Sequence, residues 1–63
     1  MTKLRDLEVH LRDQGCALVR EGGRHSIWLN PVTKARTSVP RHREIPRTTA
    51  RAICRQLGVP DVE

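Results

Sequence analysis

Leucines at positions 4, 7 and 11 open the chain on a helical rhythm, because the spacing i, i+3, i+7 lines them along one face. Thr2 is placed to cap that helix through its hydroxyl, and Gly15 to stop it. The period then changes to two. Residues 16–21 predict a strand, Gly22-Gly23 a tight turn that can use positive φ, and residues 25–30 the second strand of a hairpin. Alternation puts His25, Ile27 and Leu29 on one face and Ser26, Trp28 and Asn30 on the other. Both sets contain apolar residues, so the pattern does not say which face meets the helices. Residues 30–34 have turn chemistry around Pro31, residues 36–39 predict a third, shorter strand, and Pro40 ends it. A charged loop over 41–44 follows. The helical period returns at Ala50, Ile53, Cys54 and Leu57, and Gly58 with Pro60 closes that helix. Residues 61–63 are expected to fray.

This order predicts a small α+β domain of α-β-β-β-α architecture. It has a three-stranded antiparallel sheet, with two helices packed on one face and the other face exposed. At 63 residues the chain, 1–63, makes a single domain with a small core. Trp28 is its one aromatic residue, so Leu, Ile, Val and Ala must fill most of that core, and a tight partner would add to its working stability. No apolar run is long enough to span a membrane and the amino terminus has no signal-peptide core, which points to a cytoplasmic protein. Cys16 and Cys54 are isolated and read as small apolar fillers in a reduced compartment, with a bridge between them left open. The histidines and cysteines lack zinc-ligand spacing, so neither a metal nor another cofactor is expected. His10, on the outer side of the first helix, reads as solvent-facing.

Charge changes the picture through its distribution. Residues 1–19 balance, whereas residues 20–55 hold nine basic side chains against Glu21 and Glu44. Ten of the twelve basic residues in the chain are arginine, whose planar fork of donors matches phosphate. A solvated surface accounts for some net charge in any small protein. Concentration in one section favours a polyanion or an acidic protein as partner. Arg47, Arg51 and Arg55 recur every four residues as a basic ridge on the second helix.

The stretch Gly22-Gly23-Arg24-His25-Ser26-Ile27-Trp28 is where candidate chemistry concentrates. A histidine at the start of a paired strand has a fixed base, and a guanidinium stands beside it. On residue chemistry alone, a surface histidine next to a hairpin turn is the better account of His25.

In order and spacing, these pieces resemble the HicA family, small bacterial and archaeal toxins of type II toxin–antitoxin systems. The resemblance rests on Gly23-Arg24-His25 opening the second strand, Asn30-Pro31 after it, and Val39-Pro40-Arg41-His42 leaving the third. Glu44-Ile45-Pro46 and Thr49 then lead into the last helix. It implies a compact fold similar to double-stranded-RNA-binding domains, endoribonuclease activity on messenger RNA, and neutralisation by a cognate HicB-like antitoxin. The family's catalytic histidine stands in a Gly-Ser-His motif, and His25 is the matching position. Arg24 replaces the usual serine beside it. Thr48 and Ala50 replace the frequent glycine and leucine around Thr49, a change at the start of the helix rather than at the chemistry.

RNA carries its own nucleophile, the 2′-hydroxyl next to the scissile phosphate, so in-line cleavage without a metal needs only proton movement and charge stabilisation. Histidine, with an unperturbed pKa of about 6.5, can move that proton, and general acid–base action is worth roughly 10²- to 10⁴-fold. His25 is the expected catalyst. Gly22 and Gly23 would let a phosphate approach backbone N–H groups, and Arg24, Lys34, Arg36, Arg41 and Arg43 would grip the RNA backbone. His42 reads as a solvated or phosphate-contacting loop residue. Without the resemblance, a non-catalytic double-stranded-RNA-binding module ranks first, because such basic domains read duplex shape with no chemistry. A DNA-binding accessory or an interaction module follows. A platform for stacking single strands is disfavoured, since it needs several exposed aromatic faces.

Overall fold

The computed structural model describes residues 1–62. In chain order the elements are β1 (Thr2–Lys3), α1 (Leu4–Asp13), β2 (Ala17–Glu21), β3 (His25–Asn30), β4 (Ala35–Pro40), β5 (Glu44–Ile45) and α2 (Arg47–Leu57). β2, β3 and β4 form the expected antiparallel sheet, in that order. The α-β-β-β-α frame is therefore present, with one addition. β1 and β5 pair antiparallel as a two-residue ribbon, Thr2 opposite Ile45 and Lys3 opposite Glu44. Thr2 is thus a strand residue, not a helix cap, and α1 begins after Lys3 with no side-chain cap. The loop expected over 41–44 gives its last residue to the ribbon, and Leu4 N–H closes it on the Arg43 carbonyl at 3.0 Å. Two-residue strands are too short to show alternation, which is why the hydrophobic pattern missed them.

Both helices end as their glycines require. Gly15 and Gly58 take φ of 87° and 73°, the left-handed region where a side chain is disfavoured. Gly15 and Cys16 N–H bond back to the Arg12 and Leu11 carbonyls, while Gly58 and Val59 N–H bond to those of Arg55 and Cys54. Each helix therefore turns the chain away with two of its terminal carbonyls satisfied.

The helices share one sheet face, and that face is the one bearing Ser26, Trp28 and Asn30. Trp28 is fully buried, donates from Nε1 to Ser26 Oγ at 3.2 Å, and lies under the Arg12 guanidinium of α1 at 5.3 Å. Asn30 is buried and works in two directions: Nδ2 donates to the Leu57 carbonyl at the end of α2 (2.7 Å), and Oδ1 accepts from Val32 N–H in the next turn (3.0 Å). Thr37 of β4 reaches Gln56 of α2. The helices add Leu7, Leu11, Ala50, Ile53, Cys54 and Leu57, and Val39 and Ile45 complete the core. Cys16 and Cys54 are buried and free, and burial pushes both thiols up, so they are protonated apolar fill.

Two sequence expectations change at the carboxy end. Residues 61 and 62 are not frayed: Val62 is 7 % exposed against the core, and Asp61 meets Arg51 at 3.5 Å. Glu63, the last residue expected to fray, lies outside the described residues. His10 is partly exposed, as expected, but it is also tethered, since its Nε2 donates to the Pro60 carbonyl at 2.6 Å.

Asn30 yields a prediction with a definite pH sign. Asn30→Asp keeps the acceptor for Val32 but puts an oxygen against the Leu57 carbonyl, so the folded state favours the protonated acid. Its folded pKa then lies above the unfolded value of about 3.9, and stability is kept below that pH and lost as pH rises through the folded value. Urea unfolding should show Asn30→Asp close to the parent at acid pH and about 1–3 kcal/mol weaker at neutral pH. A loss independent of pH would show that the Asn30–Leu57 bond does not hold α2.

Candidate functional site

His25 opens β3 on the face that no helix covers. β3 and β4 pair without interruption from His25 opposite Pro40 to Asn30 opposite Ala35. Cross-strand partners share a face, so Ser38, Arg36 and Pro40 stand on the open side with His25, Ile27 and Leu29. On β2 the register shifts by one residue between Leu18 and Arg20: Ala17 and Leu18 face Leu29 and Trp28, but Arg20 and Glu21 face Ile27 and Ser26. A bulge of this kind inverts every side chain beyond it. Arg20 is thereby turned onto the open face and Glu21 onto the opposite one. Strict alternation from Ala17 would have exchanged them.

That exchange decides the electrostatics. Among the described residues, the open face of the sheet carries Arg20, Arg36 and His25 and no carboxylate. Glu21 points to the other side, where Arg41 follows Pro40, and the two meet at 3.4 Å. With both side chains about half exposed, this ion pair alone is worth little. Arg41 has two further attachments, however. Its Nη1 donates to the Gly22 carbonyl at 2.8 Å, and its main-chain N–H donates to the Arg24 carbonyl at 2.9 Å. One residue of the β4 exit thus straps the whole turn from Glu21 to Arg24.

The glycines work differently from expectation. Neither Gly22 nor Gly23 has positive φ. Gly22 is needed because its backbone lies against the His25 carbonyl, where an added Cβ would sit 2.8 Å from that oxygen. Its N–H donates to the same carbonyl at 2.9 Å, so this amide is engaged inside the turn and is not offered to a phosphate. Around Gly23 there is open space.

Of the residues singled out from sequence, Gly22, Gly23, Arg24, His25 and Arg41 come together at one end of the sheet. Arg36 shares the open face but pairs with Leu29, four residues along β3, or roughly 13 Å away at the rise of a strand. Lys34 lies in the turn beyond the opposite end of β3, with φ of 64°. Arg43 lines a cleft with Lys3, Leu4, Arg5, Glu8 and Glu44, against α1 and away from His25. His42 is exposed in the β4–β5 connection. Arg20 and Ser38 were not anticipated: Ser38 has no charge to mark it, and Arg20 reaches this face only through the bulge. His25 and Arg24 are both exposed, so the imidazole is open to a ligand from solvent. Among the described residues, no three of His, Cys, Asp and Glu are grouped to hold a metal ion, and no helix is long and apolar enough to cross a membrane.

Such a face is cationic and presents one exposed imidazole from a braced turn. Comparison with known proteins bears on what that serves. The model of a family described as the HicA toxin of bacterial toxin–antitoxin systems matches residues 4–59. No curated protein and no solved structure gives a significant match.

The two glycines separate shape from flexibility. Gly22→Ala should lose about 1–3 kcal/mol, through the clash with the His25 carbonyl and the strained bond beside it. Gly23→Ala should be neutral or stabilise by about 0.4–1 kcal/mol through the unfolded chain. Denaturant midpoints measured side by side check this, and equal losses at both positions would refute the close approach at Gly22.

Proposed function

The chain belongs to the HicA toxin family, and we propose that it is a metal-independent endoribonuclease that cleaves messenger RNA with His25 as general acid/base. The family makes it the toxin of a toxin–antitoxin pair. The observation that carries the catalytic reading is the exposed imidazole on a sheet face bearing arginines and no carboxylate.

Neutral His25 takes the proton of a 2′-hydroxyl while that oxygen attacks the adjacent phosphorus in line. The P–O5′ bond breaks, leaving a 2′,3′-cyclic phosphate and a 5′-oxygen that receives a proton from solvent or from the imidazolium. Charge grows on the non-bridging oxygens during the attack. Arg24 and the N–H of Gly23 are the groups near enough in sequence to meet it. Arg20 and Arg36 extend positive potential along the face for the flanking backbone. Arg41 serves mainly by bracing the turn, while Lys34 and Arg43 lie too far from His25 to touch the same phosphate.

The antitoxin in this reading is a HicB-like protein that covers the open sheet face. Ile27 and Leu29, half buried there, offer an apolar floor between the two arginines, and acidic side chains on the partner would neutralise Arg20 and Arg36. Cytoplasmic action on transcripts and a likeness to double-stranded-RNA-binding domains belong to the same proposal.

In EDTA, purified protein should cut synthetic RNA, and His25→Ala should lower the rate roughly 10²- to 10⁴-fold. Because His25 is exposed, the variant should keep the parent's circular dichroism and its RNA affinity. Cutting at the parent rate by His25→Ala sinks the mechanism. RNA binding with no product from the parent at any time supports the non-catalytic double-stranded-RNA-binding module instead.

A further inference from the structure

α2 carries Arg47, Arg51 and Arg55 and no acidic residue. Intervals of four place successive members about 6 Å apart along one flank of the helix. This flank is distinct from the buried stripe of Ala50, Ile53, Cys54 and Leu57, and from the side on which Gln56 reaches Thr37. All three arginines are exposed. Arg51 has Asp61 at 3.5 Å, but among the described residues Arg47 and Arg55 have no carboxylate partner.

The ridge works against its own helix. Like charges at i and i+4 repel each other, and Arg47 occupies the first turn, where the helix dipole disfavours a cation. Arg51 gains Asp61, and Arg55 gains the last turn, where a cation suits the dipole. Arg47 and the repeated spacing gain nothing inside the fold, and a local rule broken in that way points to something outside it. What that is follows from the neighbours. Thr48, Arg51, Ala52 and Arg55 line a shallow depression, so two arginines share a hollow with a hydroxyl and a methyl side chain. The exposed large apolar residues are Met1, Val9, Leu18, Val19 and Val32, none of them on α2. Protein interfaces draw most of their energy from a desolvated apolar or aromatic centre. Met1 borders a hollow with Arg47 and Asp6 at one end of the ridge, and a single flexible side chain at its edge does not make such a centre. A sugar–phosphate backbone needs only forked cations and small donors at regular intervals.

We infer that the flank of α2 bearing Arg47, Arg51 and Arg55 is a second RNA-backbone contact, separate from the His25 face, which holds the transcript at a distance from the cleaved bond. His25 stands on the outer face of the sheet and α2 packs against the inner face, in a body measuring 27 × 25 × 16 Å. An RNA reaching both must run for several nucleotides around the protein. The inference rests on the ribonuclease reading and adds the requirement for an extended substrate.

The test uses Arg47→Gln/Arg55→Gln, which leaves Arg51 with Asp61, on a His25→Ala background so that RNA stays intact. Affinity for a long structured RNA is measured from low to moderate salt. Losing two phosphate contacts should lower the log–log salt slope by roughly 1.4–1.8 and weaken binding on the order of tenfold or more. In the cutting-competent background, the penalty should shrink as the RNA is shortened towards a dinucleotide. The thermal midpoint at low salt should stay close to the parent's, because relief of the i, i+4 repulsion and of the first-turn cation offsets the loss of Arg55 from the last turn. The single variant Arg55→Gln should show about half the slope change, which secures the comparison if the double variant folds poorly. An unchanged slope overturns the inference while leaving His25 untouched. An unchanged slope with lost capture of an acidic protein also overturns it, assigning the ridge to a protein contact. A parent chain that binds no RNA overturns this inference and the ribonuclease reading together.

Discussion

Two short helices can cover one face of a three-stranded sheet and no more, and every other feature of this protein is arranged around that limit. The covered face must hold nearly all the apolar volume that 63 residues with one aromatic can supply. Trp28 therefore faces inward, and period-two geometry then forces His25 outward from the same strand. The imidazole is exposed because the tryptophan is buried. A one-residue slip of β3 would invert both at once, placing a titratable ring in the core and the indole in solvent. Ser26 and Asn30 show how the inner face tolerates polar groups: each bonds within the fold, and among the described residues no buried side-chain polar atom lacks a partner.

The bulge in β2 is the second determinant, and it acts on charge instead of volume. By turning Arg20 out and Glu21 in, it removes the one carboxylate of the hairpin from the face of His25 and gives it to Arg41. The same residue then laces Gly22 and Arg24 together. Charge sorting and turn rigidity thus come from one irregularity. Between them they leave a cationic face whose single proton-transfer group is mounted on a braced element, an arrangement suited to anion chemistry.

Much of this was legible in the sequence, and what was not has physical reasons. The bounds of β3 were read at both ends, because turn residues flank a clean alternation. The two helices and their glycine stops followed from a 3.6-residue period over three turns. Register was another matter. Which face of β3 meets the helices could not be read, since Ile27 and Leu29 compete with Trp28 in apolarity and only packing decides between them. The β1–β5 ribbon is a long-range pairing of two residues with two, invisible to any local pattern. The turn was correctly placed but wrongly explained: its glycine answers to a carbonyl three residues on, not to its own φ. Arg20 was overlooked because a bulge has no side-chain signature here. His25, Arg24 and Arg41 were found to lie together, while Lys34 and Arg43 were grouped with them by charge, a property that carries no information about distance.

An exposed imidazole is a weak catalyst by itself, and this bears on how the proposed enzyme would work. Solvent around His25 screens the neighbouring guanidinium groups, so little pre-organised field acts on a phosphate at first contact. A bound nucleic-acid chain changes that by displacing water from the open face and lowering the local dielectric around the groups it covers. In such a site the substrate completes the environment that an open sheet face around His25 does not enclose by itself. Catalytic power then depends on contacts far from the scissile bond, since these hold the chain against the face long enough for attack geometry to form. A protein of this size can supply those contacts only with surface charge. In the proposed chemistry, arginine on several sides of the molecule therefore has a holding role rather than being an excess of charge.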